Sequence, residues 1–217
     1  MGISVEPHLL ELAFTHRSWA YENGRVPTNE RLEFLGDSVL GVVVTEYIFR
    51  TYPDRPEGQL SRLRAAVVSS HALAGVARDL ELGQSIKLGH GEIATNGQDK
   101  DSILADATEA IIGAVHLSGG FEVSSRFVHA VMDPVIAEAA DLGAGLDWKS
   151  SLQDLAASLG LSVPEYTSEF TGPDHDRWFR AEVVVDGRTF GPGESTSRRG
   201  AEQEAAKAAF TALDAQA

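Results

Sequence analysis

Over the first two-thirds of the chain, apolar positions recur at the three-to-four-residue spacing of helices, and no long apolar–polar alternation interrupts them. Pro7 followed by Leu9, Leu10, Leu12 and Ala13 predicts a short opening helix. Asn23-Gly24 with Pro27 predicts a turn. Thr28 or Asn29 then caps a long periodic segment from about Glu30 to Tyr52, which Pro53 stops. Gly58 and Ser61 introduce another, with Leu60, Leu63, Val67, Leu73 and Val76 near helical spacing. Residues 83–100 are Gly-rich and polar and read as a loop. Asp101 or Ser102 opens a helix closed by Gly119-Gly120, and one more helix covers about 122–140.

The pattern changes after Asp141 to Gly145, the best linker candidate. A short helical stretch (Leu152, Leu155, Ala156, Leu159) precedes three runs that read as strands: Glu165 to Thr171, Trp178 to Val185 and Arg188 to Gly191. Gly172-Pro173 and Asp186-Gly187 separate them, the second a typical hairpin turn. Ala201 to Leu213 is an Ala-rich helix. The expected fold class is therefore multidomain: an all-α domain over 1–143, then a small α-β-β-β-α domain over 147–217.

Composition narrows the function classes. The 217 residues contain no Cys, which excludes thiolate metal sites and cysteine nucleophiles. No apolar run reaches the roughly 18 residues that span a bilayer, and the start carries Glu6 and no basic cluster, so no membrane partner and a cytoplasmic location are expected. The formal net charge is −14. Taken as a sum, that argues against nucleic acid, because phosphate binding draws on clustered Lys and Arg.

The acids have a pattern of their own. In Asn29-Glu30-Arg31-Leu32-Glu33-Phe34-Leu35-Gly36-Asp37-Ser38-Val39-Leu40, Glu33 and Asp37 are four apart on a helix, with Glu30 one turn earlier. Like charges at that spacing destabilise a helix by a few tenths of a kcal/mol. Arg31 points elsewhere and apolar residues flank the acids. Gly36 and Gly41 each cost about 1 kcal/mol inside a helix, and make sense if another backbone or a ligand comes close. Asp106 and Glu109 form a second pair, three apart, again among apolar residues and without a basic neighbour in sequence. Two such helices can converge into a nest of four carboxylates, whose repulsion a hard cation relieves. All-oxygen ligands suit Mg²⁺ or Mn²⁺, and two such ions can activate water against a phosphodiester. Solvated acidic faces remain an equal alternative from spacing alone.

The segment Asn29 to Leu40 resembles the signature of the ribonuclease III family of double-stranded-RNA endonucleases. Leu12 to Ser18, Glu57-Gly58-Gln59-Leu60-Ser61 and Ala105 to Ala114 resemble the family's other motifs. The resemblance implies an all-helical nuclease domain that forms a homodimer, depends on Mg²⁺ (with Mn²⁺ able to substitute) and cuts both strands of double-stranded RNA. The ends it implies are 5′-phosphate and 3′-hydroxyl with short 3′ overhangs, in processing of ribosomal RNA precursors and other structured transcripts. It assigns metal ligation to Glu33, Asp106 and Glu109, with Glu109 shared by a second ion, catalysis to Asp37 and Glu109, with Asp37 positioning the water, and accessory roles to Glu30 and Glu57.

The tail resembles a double-stranded-RNA-binding domain, through Leu152-Gln153-Asp154, Gly172 to His175 and Ser197-Arg198-Arg199 to Ala206. Ser197, Arg198 and Arg199 at a helix start suit phosphate, while Gln153 and His175 reach successive minor grooves. Ser195 stands where the family commonly has Gly, and Gly200 where it has a charged residue. The family carries Lys where Arg198 and Arg199 stand, which keeps the charge. A binding protein that keeps this fold without the chemistry is the alternative, opposed by the presence of all four acids.

Other readings fail on chemistry. Gly36-Asp37-Ser38 suggests a serine esterase, but Ser38 falls mid-helix and no His follows an Asp by three. His90-Gly91-Glu92 lacks the cysteines of a zinc deaminase. His8, His16, His71, His116 and His129 show no ligand spacing and read as structural or surface residues. Of Trp178 and Phe179, which alternate faces, one is expected in the tail core. Split at the linker, residues 1–146 carry 11 basic and 20 acidic groups and residues 147–217 carry 7 and 12, so neither half is basic. The summed charge misleads because charges act locally. Affinity for RNA is expected to be modest, salt-sensitive and carried by a few placed arginines.

Overall fold

The computed structural model describes residues 2–141, 147–173 and 177–215. The chain divides into two compact units, Met1–Gly145 and Leu146–Ala217. Asp141 ends the last helix of the first unit, and the rest of the predicted linker lies outside the described residues.

The first unit is helical: α1 (Pro7–Ala13), α2 (Arg17–Glu22), α3 (Glu30–Thr51), α4 (Glu57–Val67), α5 (Ser70–Asp79), α6 (His90–Ala94) and α7 (Asp101–Asp141). Val39, Leu40, Val43, Val44 and Ile48 of α3 pack against Ile112, Val128, Met132 and Ile136 of α7. Leu63 and Val67 of α4 and Leu73 and Val76 of α5 complete this core. Helix α7 keeps the expected break: Gly120, at φ 77°, leaves helical geometry where Gly119-Gly120 predicts a stop.

Four details differ from the sequence reading. The periodicity over 60–76 belongs to two helices, because Ser69 accepts a hydrogen bond from the Ala72 N–H (3.3 Å) and starts α5 afresh. The segment 83–100 holds α6 between two short 3₁₀ turns, Leu82–Ser85 and Gly97–Asp99. Elements of three to five residues carry too few apolar positions to show a period. Helix α2 has six residues and owes its start to His16, whose ring nitrogen accepts from the Ser18 N–H (3.2 Å). Asn29 precedes α3 without a side-chain cap bond; it is buried, and its N–H donates to the Thr15 carbonyl (2.9 Å).

The second unit runs α8 (Trp148–Ser158), β1 (Glu165–Thr171), β2 (Trp178–Val185), β3 (Arg188–Ser195) and α9 (Arg198–Asp214). The sheet is antiparallel in the order β1-β2-β3. Asp186 and Gly187 both take positive φ, 50° and 75°, as a two-residue hairpin turn requires. Strand β3 continues past Gly191, where the sequence suggests an end. Gly193 lies under α9 so closely that a Cβ there would run into the Ala201 carbonyl oxygen and the Ala205 nitrogen. Gly193 is thus a packing device within the continued strand. Ala181, Val183 and Val185 meet Leu152, Ala156, Ala205, Ala209 and Leu213 in a separate core, with Phe179 packed against it and Trp178 exposed.

Candidate active site

The crossing of α3 and α7 is set by two glycines. A Cβ on Gly36 would collide with the Glu109 carbonyl oxygen and stand 2.6 Å from its carbon; one on Gly113 would collide with the Leu32 carbonyl oxygen. Contact this close is open only to glycine, and it brings acids from the two helices together. Gly41 serves no such purpose within the chain, since a Cβ there would meet nothing within 4 Å.

At the crossing, carboxylate oxygens of Glu33, Asp106 and Glu109 lie within 4.8 Å of one another, and all three residues are half-buried. Asp37 is exposed beside them and falls outside the three-residue group, so the expected nest of four has three members and a fourth acid at its edge. Its charge still acts on both Glu33 and Glu109. Among the described residues none of these four acids makes a salt bridge or a side-chain hydrogen bond. Burial, then the charges of Asp37, Glu33 and Asp106, push the Glu109 carboxyl up to about 7. Glu33 is raised by burial, then by Asp106, Glu30 and Asp37, with Arg17 opposing. Asp106 is raised by burial, with His16 and Arg17 opposing.

His16 and Arg17 are the part of this surrounding that spacing does not reveal. They stand ninety residues from Asp106 in sequence, and α2 brings them beside it. Burial holds the His16 pKa below its ordinary value, so the ring is neutral near pH 7. Glu30 is exposed, accepts a hydrogen bond from Thr28 (2.8 Å) and faces Arg17 at 4.0 Å. Glu57 accepts from Ser61 (2.6 Å) and shares a groove with Thr45, Phe49 and Arg64. It is not among the groups that shift the acids.

The rejected readings stay rejected. Ser38 lies mid-α3 with its hydroxyl donating to the Phe34 carbonyl (3.3 Å), and His90 is held by Glu22 (2.6 Å).

In the second unit, Ser197 caps α9 by accepting from the Gly200 N–H (3.1 Å). Arg198 pairs with Glu202 (3.0 Å) and stays largely exposed, while Arg199 is exposed and without a partner among the described residues. Gln153 is exposed on α8. His175 lies outside the described residues. The departures at 195 and 200 explain each other. A Cβ on Gly200 would collide with the Ser195 hydroxyl and stand 2.9 Å from its Cβ, so a side chain at 195 takes the room that one at 200 would need.

Comparison with known proteins agrees with both units. Residues 6–135 match the Ribonuclease-III-like family and residues 148–213 the double-stranded RNA binding motif. Ribonuclease 3 of Thermobifida fusca is 58% identical over 99% of this chain and 90% of its own length. Ribonuclease 3 of Streptomyces coelicolor is 57% identical over 100% of this chain and 79% of its own. The nuclease domain of ribonuclease III from Campylobacter jejuni superposes with a TM-score of 0.56 at 43% identity, covering 59% of this chain and 87% of that one. With a helical nuclease unit ahead of a double-stranded-RNA-binding unit, and relatives matched along the whole length, the chain belongs to the ribonuclease III family of double-stranded-RNA endoribonucleases.

Proposed function

We propose that this enzyme hydrolyses phosphodiester bonds of double-stranded RNA with Mg²⁺ held by Glu33, Asp106 and Glu109, Mn²⁺ being able to replace it. The observation that carries the reading is the convergence of three unpaired carboxylates within 4.8 Å. An all-carboxylate donor set suits a hard divalent cation of this kind in its chemistry. The bound ions supply Lewis-acid stabilisation of the charge developing at the phosphate and a nucleophilic water at neutral pH. Asp37, at the exposed rim, accepts a hydrogen bond from the attacking water and orients it toward phosphorus. Water attack that expels the 3′ oxygen leaves a 5′-phosphate and a 3′-hydroxyl. Glu109 would also help hold a second ion, and Glu30 would be accessory, held in place by Thr28 and Arg17.

Helix α3 supports the homodimer. Its outer face exposes Phe34 (78% exposed), Val42 and Phe49, and Phe34 borders a cavity of about 870 Å³ lined by Leu9, Leu12, Val26 and Leu117. Exposed apolar residues beside an apolar recess suit a second copy of the same face. The Campylobacter jejuni structure is described as flexible in a region involved in dimer formation. Glu57 shares its groove with Phe49, so we assign its accessory role to this dimer face. One acid cluster per protomer then cuts one strand each, and an offset between them leaves the short 3′ overhangs.

The nuclease domain is taken as 1–143 and the RNA-binding domain as 147–217, with Gln153, His175, Ser197, Arg198 and Arg199 on the duplex. Processing of ribosomal RNA precursors and other structured transcripts, in the cytoplasm, is the corresponding role. No helix among the described residues is long and apolar enough to cross a membrane. Incubating the protein with a long RNA duplex and Mg²⁺, with and without chelator, tests the reading. Cleavage to staggered 5′-phosphate fragments only with free Mg²⁺ is expected; binding without metal-dependent cutting would leave a duplex-binding protein instead.

A further inference from the structure

We propose that the Arg17 guanidinium holds a phosphate of the bound RNA duplex next to the one being cut. This rests on the reading of the neighbouring acids as the cleavage site. The Thr15–Ser18 corner is tied down on every side. The Thr15 carbonyl accepts from the Asn29 N–H at the head of α3 (2.9 Å), and the His16 N–H donates to the Lys87 carbonyl (3.3 Å). The Lys87 N–H donates to Phe14 (2.8 Å), and the Gly89 N–H to the Ser18 hydroxyl (2.9 Å). Thr15 and His16 are buried, yet the side chain of Arg17 between them and Ser18 is 75% exposed. A rigid base thus presents a solvated cation.

That cation stands beside the acids. Its Nη1 is 4.0 Å from Glu30, one turn ahead of Glu33 on α3. Its charge acts on both Glu33 and Asp106, opposing the rise of each. An exposed pair at 4.0 Å adds little to stability and leaves most of the five guanidinium donors unused. Arg17 opens onto a recess of about 460 Å³ lined by His16, Ser18, Tyr21, Glu22 and Glu92. A polyanion approaching a nest of carboxylates needs a positive contact where no metal is held, and the planar guanidinium fork suits a phosphate. The corner therefore does for the nuclease unit what Arg198 and Arg199 do for the tail: it fixes the register of the backbone without reading sequence.

Arg17→Ala and Arg17→Lys in the full chain test this, with a long RNA duplex in Ca²⁺ for binding and in Mg²⁺ for single-turnover cleavage. Loss of one phosphate contact lowers the slope of log affinity against log salt by about one and slows cleavage at subsaturating enzyme roughly tenfold to a hundredfold. Lysine restores the slope and most of the rate, whereas Arg17→Glu does not, which separates lost phosphate binding from lost folding. An unchanged slope and rate in Arg17→Ala, or equal loss in the Lys and Glu variants, overturns the proposal. Wild-type cleavage that survives chelator would overturn the metal reading instead and leave the salt-slope comparison intact.

Discussion

The acid crossing and the start of α9 are both small clusters of polar residues, but they are built in opposite ways. At the crossing, like charges are forced together by backbone contact at Gly36 and Gly113, and the structure bears their repulsion. At α9, Ser197, Arg198 and Arg199 are consecutive, capped locally and largely exposed. The first carries strain, because burial and mutual repulsion act on the same carboxylates; a bound cation would relieve it. The second is relaxed and costs little, because solvent screens it. Gathering the acids takes two helices in backbone contact, whereas the basic residues of α9 are neighbours in sequence.

The comparison breaks most sharply at Glu109. Glu109→Gln is expected to lower cleavage by a hundredfold or more while leaving duplex binding in Ca²⁺ nearly unchanged; lost binding would make this acid structural. Gly36→Ala comes next. Its Cβ meets the Glu109 backbone, so we expect a loss of about 3 kcal/mol in urea unfolding together with lost cleavage, and a wild-type midpoint would mean the helices can part freely. In the tail, Arg198→Ala with Arg199→Ala should weaken binding to unrelated duplexes alike and flatten its salt dependence by about two phosphate contacts, without shifting the unfolding midpoint.

The pH dependence tests the strain itself. The Glu109 carboxyl is raised from 4.5 to about 7 in the folded chain. The folded state therefore holds this proton more tightly than the unfolded one, and its contribution is full below pH 4.5 and lost as pH rises through about 7. Metal-free protein should lose melting temperature across that window. Mg²⁺ should restore it at neutral pH, and Glu109→Gln should remove this part of both effects. The smallest expected change is at the tail pair. Gly200→Ala should cost about 1 kcal/mol against Ser195, and adding Ser195→Gly should recover most of it; additive losses would mean the two positions are independent.

Much of this was legible in the residues. The stops at Pro53, Gly120 and Asp186-Gly187 are local backbone chemistry, and they fall where Pro and Gly predict them. The acids could be singled out because they lacked basic neighbours along the helix. What could not be read was which side chains would be near them. Asp37 lies at the rim, Glu57 lies in a different groove, and Arg17 arrives from α2. Short elements such as α2 and α6 escaped because a few residues carry no period, and β3 ran on because Gly193 answers to α9 rather than to its own strand.

The net charge of −14 belongs to the same division. The sequence by itself determined most of the longer helices, the hairpin, the two cores and the residue types able to hold metal and phosphate, since propensity, capping and apolar period act over a few residues. Only the tertiary structure decided which acids meet, because that depends on two helices approaching to backbone contact at Gly36 and Gly113. A charge sum has no distances in it, and Coulomb interactions are decided by distance and burial.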